Sequence, residues 1–178
     1  WGFPAANPVL SIRRPKKGEP RSRRLKDSEL NLLIKGNHTN EMMRTIMQIM
    51  CETGMRSGEV IRISHDHLKG STLYIPITKT KPRTIPLTAK GLTLIKNANL
   101  PFKTTVDAVG KKFAKLCKYY KIKDAVVHDI RHNSLSDFMR VKKLNVPETM
   151  LIAGHKDPRM LLRIYNNLQV EHVAEKLN

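Results

Sequence analysis

Aromatic side chains are scarce in this sequence, one Trp, four Tyr and four Phe among 178 residues. A core of stacked rings is excluded, so the interior must rest on Leu, Ile, Val and the eight Met, within a hydrophobic fraction of 40%. Cysteine is rarer still. Cys51 and Cys117 each fall in an apolar helical pattern with no Cys-x-x-Cys or His spacing around them, which reads as two reduced core thiols in a cytosolic protein. No apolar run approaches the roughly 18 residues of a membrane span. The opening Trp1-Gly2-Phe3-Pro4 lacks the charged-then-apolar layout of a secretory signal, and without an initiator Met it reads as the middle of a longer chain. Acidic residues are also few. Fifteen Asp and Glu face 33 Lys and Arg, for a net charge of +18. Such an excess speaks to partners rather than fold, and it favours a polyanion. No separate amphipathic Lys/Arg stretch points to a membrane surface instead.

What is present divides unevenly along the chain. Residues 1–24 collect Pro4, Pro8, Pro15 and Pro20 with Arg13, Arg14, Lys16, Lys17, Arg21, Arg23 and Arg24, the composition of an extended basic linker suited to lie along phosphates. The organised domain is expected over 25–178. Asp27 or Ser28 is expected to cap a helix carrying Leu30, Leu33 and Ile34. From Asn40, Met43, Ile46, Met47 and Met50 repeat at helical spacing until Gly54. A short helix over Gly58–Ile63 precedes two β-rich runs, Thr72–Thr78 and Arg83–Leu87, joined by Lys79-Thr80-Lys81-Pro82 as a hairpin. Pro76 and Pro86 argue that neither strand is a fully paired central one. Helices follow over 88–97, 105–120, 128–141, 147–153, 158–167 and 170–177. The expected fold class is α+β, mainly α-helical, with a small antiparallel sheet in the first half.

Four segments hold residue types that can cleave a phosphodiester without a metal. In Thr53-Gly54-Met55-Arg56-Ser57-Gly58-Glu59, an Arg at a helix-end turn can present its fork to two phosphate oxygens, with Glu59 to fix it. Alone, this is more readily a surface ion pair after a glycine cap. Lys79 sits at the hairpin tip, where a lysine can reach a DNA groove or donate a proton to a leaving oxygen; Lys81 is a rival, and Arg83 follows closely. In His128-Asp129-Ile130-Arg131-His132, His128 and Arg131 are three apart and share a helical face. Finally, Gly154-His155-Lys156-Asp157-Pro158 supplies a loop His before a helix with Tyr165.

In that order these segments resemble the tyrosine recombinases of the phage-integrase family: a T-G-x-R-x-x-E box, a hairpin lysine, an H-x-x-R box, a G-H box and a tyrosine near the C-terminus. The R-x-L-x-x-x-E opening common at the start of that catalytic domain is also present around Leu25–Leu30. The resemblance covers roughly residues 22–170. It implies Tyr165 as nucleophile, Arg56 and Arg131 as clamps on the non-bridging oxygens, His128 and His155 as hydrogen-bond or proton-transfer groups, Lys79 as donor to the leaving 5′-oxygen, and Glu59 as orienter of Arg56. It implies neither a metal nor a cofactor. His155 to Tyr165 is ten residues, one more than usual in the family. The implied partner is double-stranded DNA, contacted also by Arg13, Arg14, Lys16, Lys17, Lys81 and Arg83. The implied assembly is a homotetramer, with the tail 166–178 either exchanged between protomers or packed on its own domain. A bacterial or phage-encoded, cytoplasmic, nucleoid-associated protein is expected. Two rivals are a type IB topoisomerase-like enzyme and a non-catalytic DNA-binding module of the same fold. A metal site on His65-Asp66-His67 lacks a clear third ligand.

Overall fold

The computed structural model describes residues 23–76, 78, 81–155, 157–159, 161 and 162. Arg13, Arg14, Lys16, Lys17, Lys79 and Tyr165, and the tail 166–178, lie outside the described residues.

Helix α1 (Asp27–Lys35) begins one position earlier than expected of a cap at Asp27 or Ser28. Lys26 occupies the cap, and the Glu29 carboxylate closes the turn by accepting from its amide at 2.8 Å. The same carboxylate pairs with Arg23 at 2.8 Å, and Leu25 between them is buried. The opening motif is thus one local knot, an ion pair spanning a buried leucine. Asn133 fastens it to the domain, accepting from the Leu25 amide at 3.1 Å and donating to its carbonyl at 2.6 Å.

Helix α2 (Glu41–Thr53) is the axis of the domain. Asn40 caps it by accepting from the Met43 amide at 3.1 Å, and Gly54 ends it at φ 62°, a left-handed position that favours glycine. Met43, Ile46, Met47, Ile49 and Met50 are wholly buried, so the aliphatic and Met-rich core expected from the composition is the one formed. A single turn, α3 (Ser57–Val60), takes the place of the longer helix expected over 58–63.

Among the described residues the sheet has three antiparallel strands in the order β1-β2-β3: β1 (Leu68–Lys69), β2 (Thr72–Ile75) and β3 (Arg83–Pro86). Strand β1 is two residues long, too short to show alternation in the sequence. Its presence makes β2 central, against expectation; Pro76 lies just past its end, and Pro86 sits on the edge strand β3. The register pairs Leu73 with Ile85 and Ile75 with Arg83. Leu73, Ile75 and Ile85 face the core, while Tyr74 and Thr84 face out. Arg83 therefore shares the inward face with Ile85, because side chains two apart on a strand point the same way.

Helices α4 (Ala89–Asn97) and α5 (Val106–Tyr119) are capped by Thr88 and Thr105. Helix α5 buries Val109, Phe113, Leu116 and Cys117 along one face, while Val106 at its start is exposed. Helix α6 (Val127–Arg140) buries Ile130, Leu135, Phe138 and Met139, and the Ser134 hydroxyl donates to the Cys51 carbonyl of α2 at 2.6 Å. Helix α7 (Val146–Ala153), capped by Asn145 with Pro147 in its first turn, ends at Gly154 with φ 67°. The C-terminal ends of α2 and α7 thereby converge on the start of α6.

Candidate active site

The floor of the site is Arg131. Its side chain is 1% exposed, among the largest wholly buried groups in the protein. One terminal nitrogen donates to the Gly54 carbonyl at 2.6 Å, and the other to the Ala153 carbonyl at 2.8 Å. Both carbonyls belong to helix ends, where oxygens lack intrahelical partners and the helix dipole presents partial negative charge. A buried guanidinium is therefore satisfied by neutral groups. Burial, with help from Arg56 and Arg83 and against the pull of Glu59, lowers its pKa to about 9, so it remains charged at neutral pH.

Arg131 also lies 3.0 Å from His155 Nε2. An arginine can only donate, so Nε2 accepts and the imidazole proton sits on Nδ1. Nδ1 is buried and has no hydrogen-bond acceptor among the described residues. Burial first, then the charges of Arg131, Arg56, Arg83 and His132, push His155 down to about 4. His128, on the first turn of α6 with an edge open to solvent, is likewise pushed to about 4 by burial and then by His132, Arg131 and Arg56. Its ring meets that of His132, one helical turn on, edge to face at 4.8 Å.

The rim is built around Glu59, 3% exposed. Arg56 donates to it twice, from the backbone amide at 3.0 Å and from one guanidinium nitrogen at 3.0 Å. Arg83 donates through its full fork, at 3.0 and 2.9 Å. Burial alone would raise this carboxyl. The Arg83 hydrogen bonds, the Arg56 amide and the charges of Arg83 and Arg131 outweigh it, and the net pKa falls below the usual carboxylate value. The remaining Arg83 nitrogen, Nε, donates to the Ile152 carbonyl at 3.0 Å.

The structure thus brings together Arg56, Glu59, His128, Arg131 and His155 from separate stretches of chain. Arg83, expected among the DNA-facing cations, instead turns inward and commits its guanidinium to Glu59 and α7. The alternation that buries Ile85 was the signal for this. Lys81 is exposed at the hairpin, its carbonyl accepting from the Thr78 hydroxyl at 2.8 Å. The carbonyls of Gly54 and Ala153, which hold Arg131, carry no sequence signature. At the His65-Asp66-His67 triplet the rings are turned to backbone, His65 Nε2 lying 3.1 Å from the Ala98 carbonyl and His67 Nδ1 accepting from the Ser64 amide at 3.1 Å. Among the described residues no cluster of three His, Cys, Asp or Glu is arranged to hold a metal, and no helix is long and apolar enough to cross a membrane.

No protein-family model matches the chain. A shufflon-specific DNA recombinase of Escherichia coli is 32% identical, the alignment covering 100% of this chain and 48% of that protein. A putative integrase/recombinase of Haemophilus influenzae is 27% identical, over 100% of this chain and 64% of that one. The chain thus spans about half to two thirds of the length of these curated relatives. Among solved structures, the Tn1549 transposon integrase in complex with circular intermediate DNA superposes with a TM-score of 0.71 at 16% identity, over 92% of this chain and 67% of that one. Five motifs in family order, a mainly helical fold with a small antiparallel sheet, and relatives of this kind agree: the chain is similar to DNA recombinases and integrases and has the fold of the tyrosine-recombinase catalytic domain.

Proposed function

We propose that this domain cuts and rejoins double-stranded DNA at specific sites through a 3′-phosphotyrosyl intermediate. The observation that carries the reading is the buried Arg131, fixed by two helix ends and touching His155, with Arg56 held beside it. A transferring phosphoryl group gathers negative charge on its non-bridging oxygens, and preorganised guanidiniums stabilise that charge without reorganising. The Tyr165 phenolic oxygen attacks phosphorus, its proton passing to water, as the bond to the 5′-oxygen breaks, and Lys79 supplies the proton that the leaving oxygen takes. The new ester keeps the phosphodiester bond energy, so rejoining needs no ATP. Arg56 and Arg131 clamp the two non-bridging oxygens. His155 and His128, neutral at pH 7, serve as hydrogen-bond partners rather than as further cations.

The partner is duplex DNA, engaged also by Lys81 and by Arg13, Arg14, Lys16 and Lys17 of the basic arm. The working assembly is a homotetramer on DNA, with the tail 166–178 exchanged between protomers. The setting is a bacterial or phage-encoded protein acting on DNA in the cytoplasm. The net charge of +18 supports binding to DNA of any sequence, so binding alone discriminates little.

Covalent trapping on a nicked suicide duplex is the decisive test, with candidate site DNA taken from the flanks of the source element. A denaturation-resistant protein–DNA adduct that disappears in Tyr165→Phe is expected. An adduct that survives Tyr165→Phe moves the nucleophile elsewhere, and salt-sensitive binding without any adduct favours a non-catalytic DNA-binding module.

A further inference from the structure

Arg83 is the group in the site that the chemistry above leaves without a task. Its side chain is 10% exposed, and all of its guanidinium nitrogens are engaged within the protein. It links three separate parts of the site: strand β3, the Glu59 carboxylate that holds Arg56, and the last turn of α7 just before His155. Gly154 shows how closely it is seated. A Cβ built there would lie 3.0 Å from Arg83 Cδ and Nε and 3.1 Å from Cζ.

The division of donors around Glu59 is uneven. Arg83 takes the bidentate fork, whereas Arg56 gives a single guanidinium nitrogen besides its backbone amide. Among the described residues, the rest of the Arg56 fork has no hydrogen-bond partner, and its side chain is 23% exposed. A buried carboxylate demands compensation, and a fork–fork pair is its strongest form. Without Arg83, the cation within reach to supply that pair is Arg56, which would then turn away from a phosphate.

Building on the recombinase reading, we propose that Arg83 is a positioning residue that saturates Glu59 so that Arg56 keeps free donors for the scissile phosphate. The charge balance agrees. Arg83 and Glu59 neutralise each other, leaving Arg56 and Arg131 as two uncompensated positive charges facing the reacting group. Through the Ile152 carbonyl, the same side chain steadies the turn that carries His155.

The test compares Arg83→Met, Arg83→Lys, Glu59→Gln and the Arg83→Met/Glu59→Gln double variant in the full chain. Adduct formation on the suicide duplex is measured beside duplex affinity, and the Arg56 Nε–H group is followed by NMR. Arg83→Met is expected to slow adduct formation about ten- to hundredfold with duplex affinity nearly unchanged, the mark of an interaction that acts in the transition state. Arg83→Lys, which restores charge without a fork, is expected to recover part of the rate. The double variant should cleave faster than Arg83→Met alone, because a neutral amide no longer draws Arg56 inward. A merely structural Arg83 would make the double variant as slow or slower, and that result overturns the proposal. NMR keeps the question separate from whether the domain cleaves at all. Rigidification of the Arg56 side chain in Arg83→Met, relative to the parent, supports the proposal even if no adduct forms in any protein. An Arg56 signal unchanged between the two overturns it.

Discussion

Arg131 and Arg56 bring guanidiniums to the same site, yet their surroundings differ in almost every respect. Arg131 is 1% exposed and held by the carbonyls of Gly54 and Ala153, whereas Arg56 keeps 23% of its side chain open and leans on a carboxylate. The floor stabilises a cation with the negative ends of two helices and, among the described residues, without a partner ion. Among the described residues the rim holds two arginines about one glutamate, which leaves one positive charge there in surplus. Helix-end dipoles are fixed by the backbone fold, while an ion cluster depends on which side chain occupies which oxygen. The floor is therefore rigid by construction, and the rim is tunable.

The largest effect expected from this contrast is at the floor. Arg131→Lys keeps the charge but replaces a planar fork with a point donor that cannot reach Gly54, Ala153 and His155 together. Adduct formation is expected to fall on the order of 10³-fold, the scale of losing a preorganised oxyanion donor. Thermal stability should fall as well, since helix-end carbonyls are left buried and unpaired. Single-turnover cleavage and a thermal melt check both. A Lys variant within about threefold of the parent rate would sink the idea that fork geometry, rather than charge, makes the floor.

A smaller effect separates the rim from ordinary backbone strain. Gly154 and Gly70 have nearly the same φ, 67° and 58°, so alanine at either meets a similar left-handed penalty of about 1–2 kcal/mol. They differ in surroundings: Gly70 has nothing within 4 Å of a built Cβ, whereas Gly154 lies against Arg83. Gly70→Ala is expected to lower stability and leave cleavage as it was. Gly154→Ala is expected to lower both, because the added methyl displaces the side chain that holds Glu59. Equal cleavage by the two variants would show that the Gly154 contact does not matter to the rim.

The same contrast explains what could be read from the sequence. Helices with a strong apolar period and a capping residue, such as α2 between Asn40 and Gly54, were legible because local chemistry decides them. The residues converging on the site were legible through the order of five motifs. Arg83 is misplaced because basic residues near a hairpin tip look alike in a sequence; its two-residue offset from Ile85 is the signal that this one turns inward, and the pairing with Ile75 bears it out. The grip on Arg131 was invisible for a deeper reason. Its acceptors are backbone carbonyls brought together by helix ends 77 and 22 residues away, and a carbonyl has no residue identity. Strand β1 failed on length alone.

The smallest effect concerns protons. His155 titrates near 4 in the folded domain, against an ordinary value of 6.5, first because it is buried and then because Arg131, Arg56, Arg83 and His132 repel a further charge. Between those two values the unfolded chain binds the proton and the folded one does not, so stability rises with pH across that window and is lost on acidification through it. Above about 6.5 both states are neutral and the slope vanishes. His128 is depressed in the same direction and adds to the slope, discounted for its exposed edge. Asp137, raised mainly by burial, opposes it. Glu59 enters only below its ordinary value of 4.5, because its folded pKa is lowered and its contribution is lost as pH falls through that lower value. The melting temperature is accordingly expected to be flat from pH 8 to 7 and to decline between pH 6.5 and 4.5. The decline should be shallower in His155→Gln, whose amide can still accept from Arg131 but cannot be protonated in this range. An identical decline in parent and variant would mean that the neutral histidine on the floor costs the protein nothing in acid, and that the repulsion from the surrounding arginines is screened away by solvent.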